Sequence, residues 1–387
     1  MITKEQRVLR VIERRDVDYL PSAIWFTDNT RHQEIAESLG LDSSEELDDY
    51  LQNHLGLTFV ADDLPIFYRN DDEYMLDLQE RGFAYVDLEN KIVYDRFGMG
   101  TVMHTDTFQY GYCLLEGNKE KNRKAAKVLP AAYTELMDLP LDQAIRRYQA
   151  PDPEKEGNLD LMEEDLKNNH GRHFIIPTGY FGIFERAYSI VGFEQFMMEI
   201  VSRPKMIHEL MEKITEQRIG LAREKMKLGF RVHHHGDDLG TQTSMFISPK
   251  MFKEMILPYL KKLFRVYRDG GCHVCLHSCG YIIPFLRDLV DCGVNIIEPV
   301  QPCNDLGKLK REFGKDLVFW GGIDVQTLPF LSPEETRVMV RDTIHTLGKG
   351  GGMIITPSQH ITCDVPIANI KALVETIMAE RSRVLEP

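Results

Sequence analysis

Three side chains of this 387-residue chain carry the donor atoms that zinc takes in proteins: His277, Cys279 and Cys363. A soft thiolate beside an imidazole suits zinc, and three protein ligands with a fourth position open describe a catalytic site better than a structural one. His277 and Cys279 are two residues apart, so at a strand end their side chains point the same way. Cys363 follows much later, in Ile361-Thr362-Cys363-Asp364-Val365-Pro366. Glu298 ends an apolar run between them and is the candidate for an exchangeable fourth ligand. Spacing alone leaves a second account equally open, a buried histidine with two inert buried thiols. Tyr180, Asp237, Gln301 and His360 close other apolar runs and are the candidate substrate contacts.

Two further tracts compete for attention. Cys272-His273-Val274-Cys275 has CxxC spacing, but it falls inside a run that reads as a strand, where residues three apart face opposite sides. Packing is expected there, and equally for Cys113, Cys292 and Cys303. In His233-His234-His235 the same alternation sends 233 and 235 one way and 234 the other. One of these histidines near the strand end, with Asp237 and Asp238 after it, is a further candidate for touching substrate.

The elements that must hold these residues are short apolar runs alternating with amphipathic stretches. The runs are 173–180, 230–235, 272–277, 294–300, 317–323 and 352–357, with weaker ones at 21–26 and 57–61. Ser248-Pro249 and Ser332-Pro333 place a capping hydroxyl before a proline in the first helical turn. Gly270-Gly271, Gly293 and Gly350 to Gly352 stand where helices should end. Strands alternating with helices imply parallel βαβ units, and eight runs predict a closed (β/α)8 barrel. In such a barrel the strand C-terminal ends form one functional rim. Residues 65–113 break the rhythm with apolar–polar alternation and are expected to be an antiparallel hairpin insertion in an otherwise single domain over 1–387.

Net charge is −14 and the acidic residues are dispersed, which disfavours nucleic acid and anionic membrane as partners. No apolar run is long enough to cross a bilayer, and the first residues lack the apolar stretch of a signal peptide. A cytoplasmic setting is therefore expected, where seven cysteines serve metal binding, catalysis or burial rather than disulfides.

In order along the chain stand Gly236-Asp237-Asp238-Leu239-Gly240-Thr241-Gln242, Ile247-Ser248-Pro249-Lys250-Met251-Phe252, Leu257-Pro258, His277-Ser278-Cys279-Gly280, Glu298-Pro299-Val300-Gln301, Trp320-Gly321-Gly322-Ile323-Asp324 and Asp364-Val365-Pro366. With these motifs the chain resembles the uroporphyrinogen decarboxylase superfamily; its N-terminal third matches only loosely. The resemblance implies a barrel and offers two branches. The decarboxylases hold substrate carboxylates with an arginine-rich N-terminal segment. The stretch 18–31 keeps Pro21 and Trp25 but lacks that cluster. The other branch is corrinoid-dependent methyltransferases, whose zinc His-x-Cys and later Cys are similar to His277, Cys279 and Cys363. That branch implies Zn2+ and a corrinoid (cobalamin) on a separate protein as cofactors. The corrinoid protein and a small-molecule methyl donor or acceptor are then the partners, and a homodimer is an allowed assembly. The absence of a basic cluster for a sulfonate-bearing thiol favours demethylation of a small methoxylated or methylated compound. A metal-free decarboxylase and a non-catalytic binding barrel are the alternatives.

Overall fold

The computed structural model describes residues 2–27, 31–105 and 108–386. Eleven strands stand among them: β1 (Leu55–Thr58), β2 (Ala84–Asp87), β3 (Ile92–Asp95), β4 (Gly100–Val102), β5 (Tyr110–Tyr112), β6 (Phe174–Pro177), β7 (Val232–Gly236), β8 (His273–His277), β9 (Val294–Val300), β10 (Val318–Ile323) and β11 (Met353–Pro357). Strands β7 to β11 form a five-stranded parallel sheet in sequence order, with helices between them, and β1 pairs in parallel with β6. The fold is α/β, as expected, with six of the eight anticipated runs appearing as strands within two or three residues and β1 shifted toward the N-terminus.

The expectation of one closed eight-stranded sheet is corrected to two open parallel sheets. Residues 21–26 are the reason on one side: they make only isolated parallel bridges, Ser22 to Ile355 and Phe26 to Ile361. Pro21 has no N–H to give, and the amide side chain of Asn53 takes the place of a backbone ladder by bonding both Ile24 N (2.8 Å) and Ile24 O (3.0 Å). On the other side, the glycine-containing turn after β6 meets β7 through Gly236 N to Gly179 O (2.6 Å) rather than through a regular strand pair.

Residues 65–113 also differ from the hairpin expected of them. The first part is helical, Leu64–Phe67 and Asp72–Glu80, with Asp71 capping the second helix through Tyr74 N. An acidic first turn behind an Asp cap is a helix start, which the apolar–polar alternation masked. The antiparallel part has four strands, β2 to β5, in consecutive order. Residues 106 and 107 lie outside the described residues. Buried ion pairs fasten this sheet to the body: Arg96 to Asp62 (2.9 Å), and Arg186 in helix Phe184–Val191 to Asp95 (2.5 Å).

Helix starts follow the sequence signals. Ser248 caps through Met251 N, and Ser332 forms a capping box with Glu335. The helix expected over 252–269 opens with a π-helical turn at Phe252–Ile256, placed where Pro258 removes a backbone donor.

Two buried histidines make the fold sensitive to acid. His54 and His233 are both pushed down to about 3, by burial first and then by the charges of Arg7 and Lys225 respectively. In the unfolded chain each titrates near about 6.5, so the unfolded state takes up the protons first. Stability is therefore whole above about pH 6.5 and falls as pH drops from there toward 3, by up to about 1.4 kcal/mol per unit for each group. The expected result is a lower urea midpoint at acid pH. His233→Phe, which keeps a ring against Tyr267 (centroids 4.5 Å apart), should flatten that dependence.

Candidate metal centre

Register brings the chemistry together. Gly236 of β7 is opposite His277 of β8, which is opposite Glu298 of β9, so three strands end level with one another. Residues two apart share a face, and the inward layer one step below holds His234 and Cys275. Gly236 contributes no side chain to the upper layer, and Tyr180 fills that space: a Cβ at 236 would lie 3.3 Å from the Tyr180 Cα. The rings of Tyr180 and His277 meet edge-on with centroids 5.3 Å apart.

His277 is held from two sides. Its Nδ1 donates to Glu298 Oε2 (2.5 Å), the same oxygen that accepts from His234 Nε2 (3.2 Å). Its Nε2 faces Cys279 Sγ at 3.8 Å and Asp238 Oδ1 at 3.7 Å. Burial disfavours charge on His277, but the Glu298 carboxylate and the hydrogen bonds with Cys279 and Glu298 outweigh it and raise its pKa well above the ordinary value. Glu298 is half-buried and desolvation works against its charge, yet the charge of His277 and the bonds from both histidines hold it far down as a carboxylate. His234 is pushed down, by burial foremost, and stays neutral while donating to Glu298. Burial pushes the Cys279 thiol up despite the bond with His277.

The loop carrying Cys279 is fixed closely. Cys279 N donates to Asp238 Oδ1 (2.7 Å), and Gly280 N to Gln301 Oε1 (2.7 Å). Gly280 has φ +86°, and a Cβ there would lie 2.4 Å from the Gly240 carbonyl, so only glycine fits between the two loops.

Two overlapping groups have ligand atoms within 4.8 Å of one another: His234, His277 and Glu298, and Asp238, His277 and Cys279. The first is already joined by hydrogen bonds. The second fits a soft dication. Zinc bonds of about 2.0 Å to nitrogen and 2.3 Å to sulfur at a tetrahedral angle give an N···S edge of about 3.5 Å, close to the 3.8 Å between Nε2 and Sγ.

The sequence candidates divide accordingly. His277, Cys279, Glu298, Tyr180 and His360 line one cavity of about 200 Å³, together with Trp25, His234, Asp238, Trp320 and Gln359. Asp237 and Gln301 are not in its wall. Asp237 is fully buried and accepts from Ile183 N, Glu185 N and His235 Nε2, while Gln301 supports the 280 loop. Cys363 is exposed and belongs to neither group. Instead the Gln359 amide reaches Cys279 Sγ (3.1 Å). The burial of Cys275, whose thiol is pushed well up, agrees with a packing role for the CxxC tract. Asp238, His234 and Gln359 had the weaker signals, and only strand parity could have ranked Asp238 above Asp237. No helix among the described residues is long and apolar enough to cross a membrane.

Because Glu298 fixes the ring and tautomer of His277 from behind, Glu298→Gln is expected to weaken zinc binding by about 10- to 100-fold, without unfolding the chain. A competition titration against a chromophoric chelator reads this directly.

Residues 141–379 match the model of the uroporphyrinogen decarboxylase (URO-D) family. The chain is 22% identical over 188 residues to uroporphyrinogen decarboxylase of Coxiella burnetii, covering 46% of this chain and 48% of that protein. It is 23% identical over 199 residues to the methylcobamide:CoM methyltransferase MtaA of Methanosarcina barkeri, covering 51% and 56%. The chain thus spans about half the length of the curated relatives it matches. Its fold is shared with a solved methyltransferase from Methanosarcina mazei, at a TM-score of 0.58 and 17% identity over 98% of this chain and 99% of the other.

Proposed function

The chain belongs to the uroporphyrinogen decarboxylase family, and from that premise we propose that it is a zinc-dependent methyltransferase, moving a methyl group between a small uncharged compound or thiol and the cobalt of a corrinoid on a separate protein. The observation that carries this reading is the 3.8 Å approach of His277 Nε2 to Cys279 Sγ beside Asp238, inside a cavity. The single-domain organisation over 1–387 belongs to the same proposal, with residues 21–26, β1 and β6 to β11 as a ring about that cavity. The bond from His54 N to Ser22 O (2.9 Å) and that from Gly236 N to Gly179 O support it.

In this reading His277, Cys279 and Asp238 hold the metal. Zinc, when bound, lowers the pKa of a ligated oxygen or sulfur, so that it leaves or attacks as an anion. The chain's own residues do the rest. Glu298 holds the Nδ1 proton of His277 and so aims Nε2 at the ion, which would take the place of the Nε2 proton. Neutral His234 completes the acceptor capacity of that Glu298 oxygen. Tyr180, Trp25 and Trp320 wall the cavity with rings that exclude water. No Lys or Arg stands among the described lining residues, which argues against a polycarboxylate such as a porphyrinogen and against a sulfonate-bearing thiol.

The test combines metal analysis of untagged protein with a spectroscopic assay for loss of cob(I)alamin in the presence of methanol, methyl ethers and methyl thioethers. About one zinc per chain and methylation of cobalt by at least one donor are expected. Metal-free protein that releases CO2 from uroporphyrinogen would overturn the reading.

A further inference from the structure

A second cavity of about 280 Å³ adjoins the first, and the two share Trp25 and His360 in their walls. Trp25 stands between neighbours on both sides, its ring centroid 5.9 Å from His360 and 6.2 Å from Trp320. Beyond this partition Ile24, Leu47, Leu51 and Leu55 form the apolar part of the wall, and His32, Asn53 and His173 are polar members of it. Asp48 also lines it, and its carboxylate is engaged by His173 at 3.4 Å. His360 is held neutral, chiefly by burial, and no Lys or Arg is found among the described lining residues. A dry cavity of about 150 Å³ already takes a benzene ring, so this one has room for a substituted ring.

We infer that the second cavity receives the leaving group of the methyl donor, and that this group is an uncharged, flat apolar body such as the ring of an aryl methyl ether. The inference rests on the methyl-transfer reading and specifies its substrate. The methyl carbon lies on the His277–Cys279 side of Trp25 and the ring on the other. In the reaction the O–CH3 bond breaks with its electron pair on oxygen. The new C–Co bond forms from the electron pair of the partner's cob(I)amide, cobalt passing formally from I to III. The released phenoxide takes a proton from solvent. Carboxylate, sulfonate and phosphate esters fit less well, because no Lys or Arg is among the described lining residues and His173 already faces the Asp48 carboxylate.

The first measurement needs neither zinc nor corrinoid. The chain has two tryptophans, so an 15N spectrum of the metal-free protein shows two indole signals, assignable by Trp25→Phe. Titration with methoxybenzene is expected to move the Trp25 signal. Leu51→Trp, which fills the second cavity from helix Ser44–Leu51, is expected to weaken methoxybenzene binding in calorimetry by about tenfold or more. In the coupled assay it should lower transfer from methoxybenzene relative to methanol by a similar factor. Leu55→Phe supplies an obstruction from β1 if Leu51→Trp fails to fold. An unmoved Trp25 signal, or unchanged affinity and donor ratio in a folded variant, overturns the inference. Ring binding that follows this pattern without transfer from any donor supports the cavity assignment and removes the methyl-transfer reading instead.

Discussion

His277→Ala and Cys279→Ser should each abolish stoichiometric zinc and lower methyl transfer by at least about a hundredfold, more than loss of an outer-shell partner causes, whereas Cys363→Ser should leave both unchanged. Atomic absorption on the purified variants and the cob(I)alamin assay decide the matter. The asymmetry is the informative part, since all three residues have donor atoms of the right kind. His277 and Cys279 are placed by the end of β8 and by a loop that Asp238, Gln301 and the glycine at 280 hold in one position. Cys363 is exposed beyond β11. Zinc binding must also displace a proton from His277 Nε2 and another from the Cys279 thiol, because both groups are shifted up without the ion. Affinity should therefore rise with pH. Zinc lost in Cys363→Ser would mean that the 361–366 segment folds over the ion and restores the ligand set expected from sequence.

What could be read from the chain follows the range of each physical signal. Strand and helix alternation is local, and so β7 to β11 and the helices started by Ser248 and Ser332 were legible. The nearness of His277 and Cys279 was legible from their close spacing at a strand end, although Cys279 itself stands in the loop after β8. The interruption of the expected closed sheet was not, because Asn53 replaces backbone with side-chain hydrogen bonds at residues 21–26. The choice between Asp237 and Asp238 depends on register across two strands. Once Gly236 is known to lie opposite His277, parity turns 238 toward the cavity and 237 away. Metal-donor type suggested Cys363, but only three-dimensional placement shows Gln359 beside the Cys279 sulfur. The helix behind Asp71 was hidden because an amphipathic helix two turns long offers too few residues to distinguish its period from that of a strand.

The largest stability effect is expected away from the metal centre, at Arg186. This guanidinium is fully buried; burial works against its charge, and Asp95 and Asp63 more than restore it. Arg186→Met removes one partner and leaves the carboxylate of Asp95, at the end of β3, without its counter-ion, a change that costs about 3–5 kcal/mol. Urea denaturation followed by circular dichroism should show it as a large drop in midpoint, while the exposed pair Lys250–Glu254 can be removed with little effect. The consequence reaches the cavity through neighbouring charges. Arg218 donates to the carbonyls of Phe181 (2.6 Å) and Tyr180 (3.3 Å), and Lys225 to that of Thr178. These three bonds set the turn that presents Tyr180 to His277. If the buried cluster is a common support for the antiparallel sheet and this turn, Arg186→Met will perturb the environment of Tyr180 at urea concentrations below the main transition. A single coincident transition would instead show that the sheet and the cavity wall are stabilised as one unit.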